Sequence, residues 1–411
     1  MEFFQDFALG VSALSSLTVM LSILFGAILG IVVGVLPGVG PGVTIAVLLP
    51  FTYGMPPLAG ICLLLGVYCG AFYGGAVTSI LIRTPGEASS IMTMFDGYPM
   101  ARKGEAQRAL SLAFMSAFLG GILSALLLGL AARPLSTMAG KFGAPETALA
   151  IVLASLCVAK AYQRQFFLAL TMTALGFFIA TIGIDPNSNE QRFTFGSSGM
   201  LSGLPLVAVA VGLFGMAQAL VMISSAKPKF DATLIEKAGL TWRGLTEALR
   251  YPKALAKGLF LGGAIGILPA VGAGLSTSLA YFWSQRGAKN PTPFGSGNPE
   301  GIVAAESANN SNSGGAMITV LTLGIPGDAI TAIIMGVFVV HGIVPGPTLF
   351  FDRPEIVNGV FVGLLVLNVI ILALLALSIR SLARLMVVDT TSTCRCYQAA
   401  ALEPTGTPSR E

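Results

Sequence analysis

Long apolar runs separated by short polar stretches fill this chain from residue 8 to residue 388. A helix rises about 1.5 Å per residue, so an apolar run of about 20 residues crosses a hydrocarbon layer about 30 Å thick. Four runs have that form with little interruption: 109–132, 166–184, 201–223 and 357–379. Six others, 15–36, 57–82, 146–159, 258–283, 302–325 and 329–351, are shorter or broken by Gly and Pro. Such breaks predict discontinuous helices or re-entrant hairpins rather than uniform crossings. The whole pattern predicts an all-α polytopic membrane protein.

The polar stretches orient it. Residues 224–257 are rich in Lys and Arg, from Lys227 to Lys257, and by the positive-inside rule form a cytoplasmic linker. Loop 97–108, with Arg102, Lys103 and Arg108, is cytoplasmic as well, and 185–200 faces outside. Arg133 and Lys141 fall outside against this trend. The N-terminal stretch carries Glu2 and Asp6 and no basic residue, which predicts an uncleaved first span.

The pattern also repeats. GAILGIVVGVLPGVGPG (26–42) matches GLFLGGAIGILPAVGAG (258–274) at a shift of 232. GGAVTSILIRTPGEA (74–88) matches GGAMITVLTLGIPGDA (314–329): the Gly pairs align at a shift of 240 and the Pro-Gly pairs at 241, with one residue inserted between. This divides the chain into a first membrane repeat (1–223), the linker (224–257), a second repeat (258–388) and a polar tail (389–411) predicted to be disordered. Loop 97–108 is basic while its counterpart 338–349 has no Lys or Arg, and the span ending near Leu130 corresponds to one followed by Arg380 and Arg384. Opposite charge bias in matching loops predicts inverted-topology repeats. The partner of 201–223 would fall beyond residue 411, so the second repeat is expected to be incomplete, either as a short variant or through truncation.

Composition fits. The chain is 54% hydrophobic and 10% charged, against about 25% charged for a soluble protein. A net charge of +4 gathered in loops reports orientation and gives no reason to expect a nucleic-acid partner. Five scattered Cys and a lone His341 offer no metal or disulfide framework. Hydrolase, zincin and nucleotide-binding signatures are absent, so neither an enzyme nor an ATP-driven pump is expected.

The chemistry lies in the four breaks. A half-helix start offers N–H donors and partial positive charge to a carboxylate, and unwound carbonyls suit Na⁺. The candidate binding residues are Pro37, Gly38, Gly40 and Thr44 at the first break, and Gly74, Gly75, Arg83, Thr84, Pro85 and Gly86 at its companion. In the second copy they are Pro269, Gly272 and Ser276, then Asn309, Asn310, Gly324, Pro326, Gly327 and Asp328. The competing reading makes them helix kinks and close small-residue contacts. Arg83 and Glu87 either serve function or pair with each other at i and i+4. Asp328, matching Glu87, either binds a cation or proton or caps a half-helix. Glu306 and Asn312 lie beside the Asn pair, where amides either hold a ligand or bond neighbouring helices.

The run of motifs from GVLPGVGPG through YCGAFYGG, FDGYPMARKGEAQRAL, KFGAPE, GIDPNSNEQRFTFG, ESANN and LGIPGDA to HGIVPGP resembles the large membrane subunit of the tripartite tricarboxylate transporter family. The resemblance covers nearly all of 20–380. It implies secondary uptake of organic carboxylates across the bacterial inner membrane, coupled to Na⁺ or H⁺ and with no other cofactor. It also implies a small four-span membrane partner and a periplasmic solute-binding protein. Ala270 in LPAVGAG, together with Arg83 and Glu87, departs from the family pattern. A second possibility is a shortened, transport-inactive assembly subunit.

Overall fold

The computed structural model describes residues 2–36, 40–141, 165–185, 190–204, 211–216, 238–269, 271–288 and 293–385, with scattered positions in 143–156 and at 209 and 220. The tail 389–411, about half of the 146–159 and 201–223 runs, and 224–237 of the linker lie outside the described residues.

The protein is an all-α membrane protein. From the N-terminus it contains α1 (Glu2–Leu14), α2 (Leu17–Val35), α3 (Pro41–Leu48), α4 (Pro57–Ile82), α5 (Ile91–Met100), α6 (Ala106–Ala139) and α7 (Phe166–Ala180). A two-stranded hairpin, β1 (Gly183–Ile184) with β2 (Gln191–Arg192), follows α7. After α8 (Trp242–Glu247) come α9 (Pro252–Gly266), α10 (Ala273–Gln285), α11 (Pro299–Leu323), α12 (Ala329–Val340), α13 (Leu349–Asp352) and α14 (Pro354–Leu385). Among the described residues four helical stretches are long and apolar enough to cross a membrane: Leu17–Val35, Pro57–Ile82, Ala88–Ala139 and Pro354–Ala383.

Three expectations change. The 258–283 run is two helices, α9 and α10, parted at 267–272, because Pro269 and the positive-φ Gly272 end one and start the next. α9 starts at Pro252, inside the stretch read as linker, with proline at the first helical position where its missing N–H costs nothing. Within loop 97–108 the helical path continues past Pro99 to Lys103, breaks at Gly104, whose φ of 89° and ψ of 5° are not helical, and resumes as α6.

Close backbone approach sets the register. On α2, Gly26, Gly30 and Gly34 lie against Leu63, Val67 and Ala71 of α4, and Gly66, Gly70 and Gly74 of α4 return the contact. A Cβ at Gly30 would stand 2.6 Å from the Val67 carbonyl oxygen, so only hydrogen fits. In the second copy Gly258, Gly262 and Gly266 of α9 lie against Ala304, Ala308 and Asn312 of α11. These partners pair at a constant shift of 241: Leu63 with Ala304, Val67 with Ala308, Ala71 with Asn312, and Gly74 with Gly315. The inserted residue expected from the Gly-Gly doublets is therefore absent from the fold, and Gly75 corresponds to Ala316.

The two copies embrace reciprocally. α1 packs on α14 and α8 on α6; α4 packs on α14 and α11 on α6; α3 packs on α12 and α10 on α5 and the turn before it. Each of these contacts is answered by its mirror, the mark of a two-fold relation. α4 and α11 lie at the centre and are buried along nearly their whole length.

Candidate functional site

Both central helices end in a left-handed residue. Arg83 (φ 53°) caps α4 and Gly324 (φ 66°) caps α11. Glycine adopts this conformation freely, whereas an L side chain costs about 1–2 kcal/mol there. Pro85-Gly86 and Pro326-Gly327 then turn the chain back against its own helix. Gly86 rests on Gly75 and on the Gly34 carbonyl, and Gly327 rests on Ala316.

A capping box closes each turn. The Glu87 side chain caps the turn that leads into α5, and the Glu87 N–H donates to Ser90 Oγ (3.4 Å). Asp328 caps α12: its Oδ1 accepts from the Thr331 N–H (2.7 Å) and Thr331 Oγ1 (2.8 Å), while its own N–H donates to Thr331 Oγ1 (2.9 Å). The N-termini behind these two breaks are thus already served by the protein's own carboxylates. Across the two-fold, Tyr68 of α4 donates its hydroxyl to Asp328 Oδ2 at 2.5 Å, both groups buried. Glu87 Oε2 accepts instead from Ser89 (2.8 Å).

The other pair of breaks is different. Gly40 (φ 56°) and Gly272 (φ 75°) occupy the N-cap positions of α3 and α10, and neither helix has a side-chain cap. A Cβ at Gly40 or Gly274 would meet nothing within 4 Å. One at Gly272 would reach only Asp328 Cβ, at 3.8 Å, and one at Gly42 only Ile333 Cδ1 of α12, at 3.9 Å. These starts present uncapped N–H groups, that of α10 beside Asp328 and that of α3 facing α12 near Ile333. That arrangement can hold a carboxylate through backbone donors and the helix dipole. Thr44, Ser276, Thr277 and Ser278 donate back to their own helices and keep acceptor capacity.

On α11 a polar stripe runs through the centre. Thr93 of α5 donates to Glu306 Oε1 (2.5 Å), while Glu306 Oε2 has no partner. Both amide atoms of Asn309 and both of Asn312 are also buried and unpartnered. Each such atom costs about 1–3 kcal/mol, so a ligand that satisfied them would be bound strongly. Asn310 does not belong to this set: its amide donates to the Glu306 carbonyl (3.1 Å).

Of the residues named from sequence, Gly40, Thr44, Gly272, Ser276 and Asp328 gather around the α3, α10 and α12 starts. Gly75, Pro85, Gly86, Pro326 and Gly327 shape the two turns, with Gly75 directly under Ser90 and the Glu87 backbone. Thr84 donates to the Ile82 carbonyl (3.3 Å). Gly74 lies in the α2–α4 seam, and Pro269 in the turn after α9. Pro37 and Gly38 lie outside the described residues, as does Ala270. Arg83 lies over the Tyr98 ring (5.8 Å) rather than against Glu87.

Two residues escaped the sequence reading. Tyr68 is one. Asp96 of α5 is the other: its Oδ1 accepts from the N–H groups of Gly295 (2.8 Å), Gly297 (2.9 Å) and Asn298 (2.7 Å), and its Oδ2 from Tyr281 of α10 (2.8 Å). It pins the loop that launches α11. The two-fold equivalent of Asp96 is Val337, as Gly301 against Asp96 and Gly60 against Val337 show.

The chain matches a family model described as the tripartite tricarboxylate transporter TctA family over residues 20–396. It is similar to the "Uncharacterized 52.8 kDa protein in TAR-I ttuC' 3'region" of Agrobacterium vitis, at 37% identity over 332 residues, 80% of this chain and 66% of the relative. A second Agrobacterium vitis relative, "Uncharacterized protein in TAR-II ttuC' 3'region", is 36% identical over 113 residues, 28% of this chain and 47% of the relative. The chain thus spans slightly less than two thirds of the first relative and about half of the second. No solved structure matches it.

Proposed function

Because the chain belongs to the tripartite tricarboxylate transporter TctA family, a family of transporter components and not of enzymes, we propose that it is the permease subunit of a binding-protein-dependent importer. Its substrates are tricarboxylates or related organic carboxylates, moved with Na⁺ or H⁺ across the bacterial inner membrane. A small four-span membrane subunit and a periplasmic solute-binding protein complete the assembly. The two repeats are inverted about an axis in the membrane plane and rock against each other in alternating access.

The observation that carries this reading is the division of labour among the four breaks. The starts of α3 and α10 are uncapped and face open space, which suits an anion. Behind them Asp328 and Glu87 supply carboxylates that suit a cation or proton, and Tyr68 links Asp328 to the opposite repeat. Reciprocal packing supports the two-fold relation, and the opposite loop charges support an axis in the membrane plane.

Uptake of labelled citrate into proteoliposomes holding the chain with both partners tests the proposal. Wild type is expected to accumulate label under an imposed Na⁺ or proton gradient, and Asp328→Asn to lose that dependence. Accumulation that ignores both gradients, or none in a fully inserted assembly, overturns it.

A further inference from the structure

Five of the seven buried side-chain atoms that lack a partner among the described residues belong to Glu306, Asn309 and Asn312, so the shortfall is local to α11. All three residues are at most 1% exposed. At i, i+3 and i+6 they stand on one side of the helix. Glu306 is the one buried carboxylate among the described residues with an unpartnered oxygen, and no Lys or Arg there forms an ion pair with it. Glu87 lies within charge–charge range and adds a second acidic group. A carboxylate oxygen and amide oxygens are hard ligands, the kind that Na⁺ takes. One carboxylate with neutral amides balances a single positive charge, which suits Na⁺ over Ca²⁺ or Mg²⁺. A proton would satisfy Glu306 Oε2 alone, whereas a metal ion engages the amide oxygens as well. At the far end of the stripe the Asn312 backbone lies against Gly266, at the break that leads to the uncapped start of α10. That start favours an anion, and Glu306 repels one through a medium of low dielectric. A cation on Glu306 removes the repulsion.

We propose that the stripe is a sodium site, in which Glu306 Oε2 and Asn309 Oδ1 hold the ion and Asn312 turns its N–H donors to a carboxylate bound at the α10 start. The carboxylate half rests on the transport reading, and the sodium half stands without it. The first copy has Leu65, Tyr68 and Ala71 at the matching places and builds no such site, so each chain takes a single ion here. Ion and substrate are coupled because the cation cancels the charge that would exclude the acid. By linkage, each then tightens the other by the same factor.

The test is binding of ²²Na⁺ to the purified full chain, with choline as the replacement cation. Wild type is expected to bind label saturably, and unlabelled Na⁺ but not K⁺ to displace it. Glu306→Gln and Asn309→Ala are expected to weaken binding at least about tenfold. Asn310→Ala, one position round the helix, is expected to stay within about twofold of wild type. Should Glu306→Gln fail to fold, Asn309→Ala carries the test, because it only removes unpartnered buried atoms. Citrate is expected to tighten ²²Na⁺ binding at least about fivefold in wild type, and Asn312→Ala to lose that gain while still binding the ion. No sodium binding, equal displacement by K⁺, or equal binding by Asn309→Ala and Asn310→Ala overturns the site. Sodium binding that citrate leaves unchanged overturns the coupling. Sodium binding without any citrate uptake would sink the transport reading and leave the site standing, and uptake driven by protons without sodium binding would do the reverse.

Discussion

Where α11 carries Glu306, Asn309 and Asn312, α4 carries Leu65, Tyr68 and Ala71 at the same places in the fold. The two helices share length, burial, glycine-lined seams, left-handed ends and Pro-Gly turns. They differ in what they bury. α4 buries mostly hydrocarbon, and its buried polar groups are partnered: Tyr68 donates to Asp328 and Tyr73 to Asn368, both across the two-fold, while Thr78 donates to the Gly75 carbonyl and Ser79 to Ser90. α11 buries a carboxylate oxygen and four amide atoms with no partner. Their seams differ too. Gly66 and Gly70 of α4 are Ser307 and Ser311 in α11, and Ser311 Oγ donates to the Leu259 carbonyl of α9 (3.0 Å). Duplication has kept a backbone and let one copy become scaffold while the other gathered polar chemistry. Two-fold packing therefore does not make the two half-sites chemically equal.

The first way to break the comparison is to attack the seam that makes the helices alike. In Gly70→Leu the new side chain would land on the Ala27 carbonyl and the Ile31 backbone, with no room to turn. Backbone cannot yield as a flexible side chain can, so the expected cost is above the ~1–3 kcal/mol of ordinary overpacking. We expect no monodisperse protein by size-exclusion chromatography. Ser311→Gly, which writes the first seam into the second, removes one hydrogen bond and is expected to cost about 1 kcal/mol. A folded Gly70→Leu protein would show that the seam is not rigid.

A second contrast sits at the helix starts. Asp96→Ala strips acceptors from three backbone N–H groups and the Tyr281 hydroxyl. At about 1–3 kcal/mol for each buried group, and with water reaching part of the loop, the expected loss is about 3–5 kcal/mol. Val337→Ala at the equivalent place removes only methyl groups and should cost about 2 kcal/mol. Thermal midpoints in detergent compare them. Equal drops would mean that the Asp96 network does not hold the α11 start.

The polar stripe gives a prediction of opposite sign. Asn312→Ala installs the first copy's residue and removes two unpartnered buried atoms. Stability is expected to stay level or rise by about 1 kcal/mol, because a buried polar group without partners is a liability. Citrate uptake is expected to fall at least tenfold, about 1.4 kcal/mol. A large drop in thermal midpoint would show that Asn312 is satisfied in the folded protein and is structural.

Much of this fold is written locally. Pro and Gly mark helix ends by their own backbone limits, so the breaks at 36–42, 84–87 and 325–328 were readable, as was the pairing of the copies. The glycine seams lay within the same motifs. What pairs across the fold was not readable. Tyr68 and Asp328 are 260 residues apart, and a tyrosine in an apolar run carries no mark of its partner. Asp96 stands just before the stretch read as loop 97–108, and nothing beside it in sequence marks partners as distant as Tyr281 and Asn298. The doublet alignment at 240 was misled by identity. Contact with α2 and α9 fixes the true register at 241. Asn310 looked equal to Asn309 in sequence, and only helix phase separates the amide that bonds its own backbone from the one that does not.

The smallest effect comes from the reciprocal contacts α8–α6 and α1–α14. In the first, Arg108 donates to both Glu247 oxygens (2.9 and 2.5 Å) and to Glu105 (2.6 Å), and Tyr251 also donates to Glu247 (3.1 Å). In the second, Asn358 reaches Asp6 at 3.4 Å. Hydrogen bonding from Arg108 holds the Glu247 carboxyl below the usual carboxylate range, against the upward pull of partial burial. A group with a lowered folded pKa stabilises the fold above its unfolded pKa, and that stabilisation is lost as pH falls through the folded value. The clamp is therefore complete at neutral pH and released in acid. Because Glu247 and Arg108 are partly solvated, its contribution is expected to stay below about 1 kcal/mol. Thermal midpoints of wild type and Glu247→Gln should differ most at pH 7 and converge toward pH 4. A gap that persists unchanged at pH 4 would mean that shape, and not charge, joins α8 to α6, leaving the two reciprocal contacts alike after all.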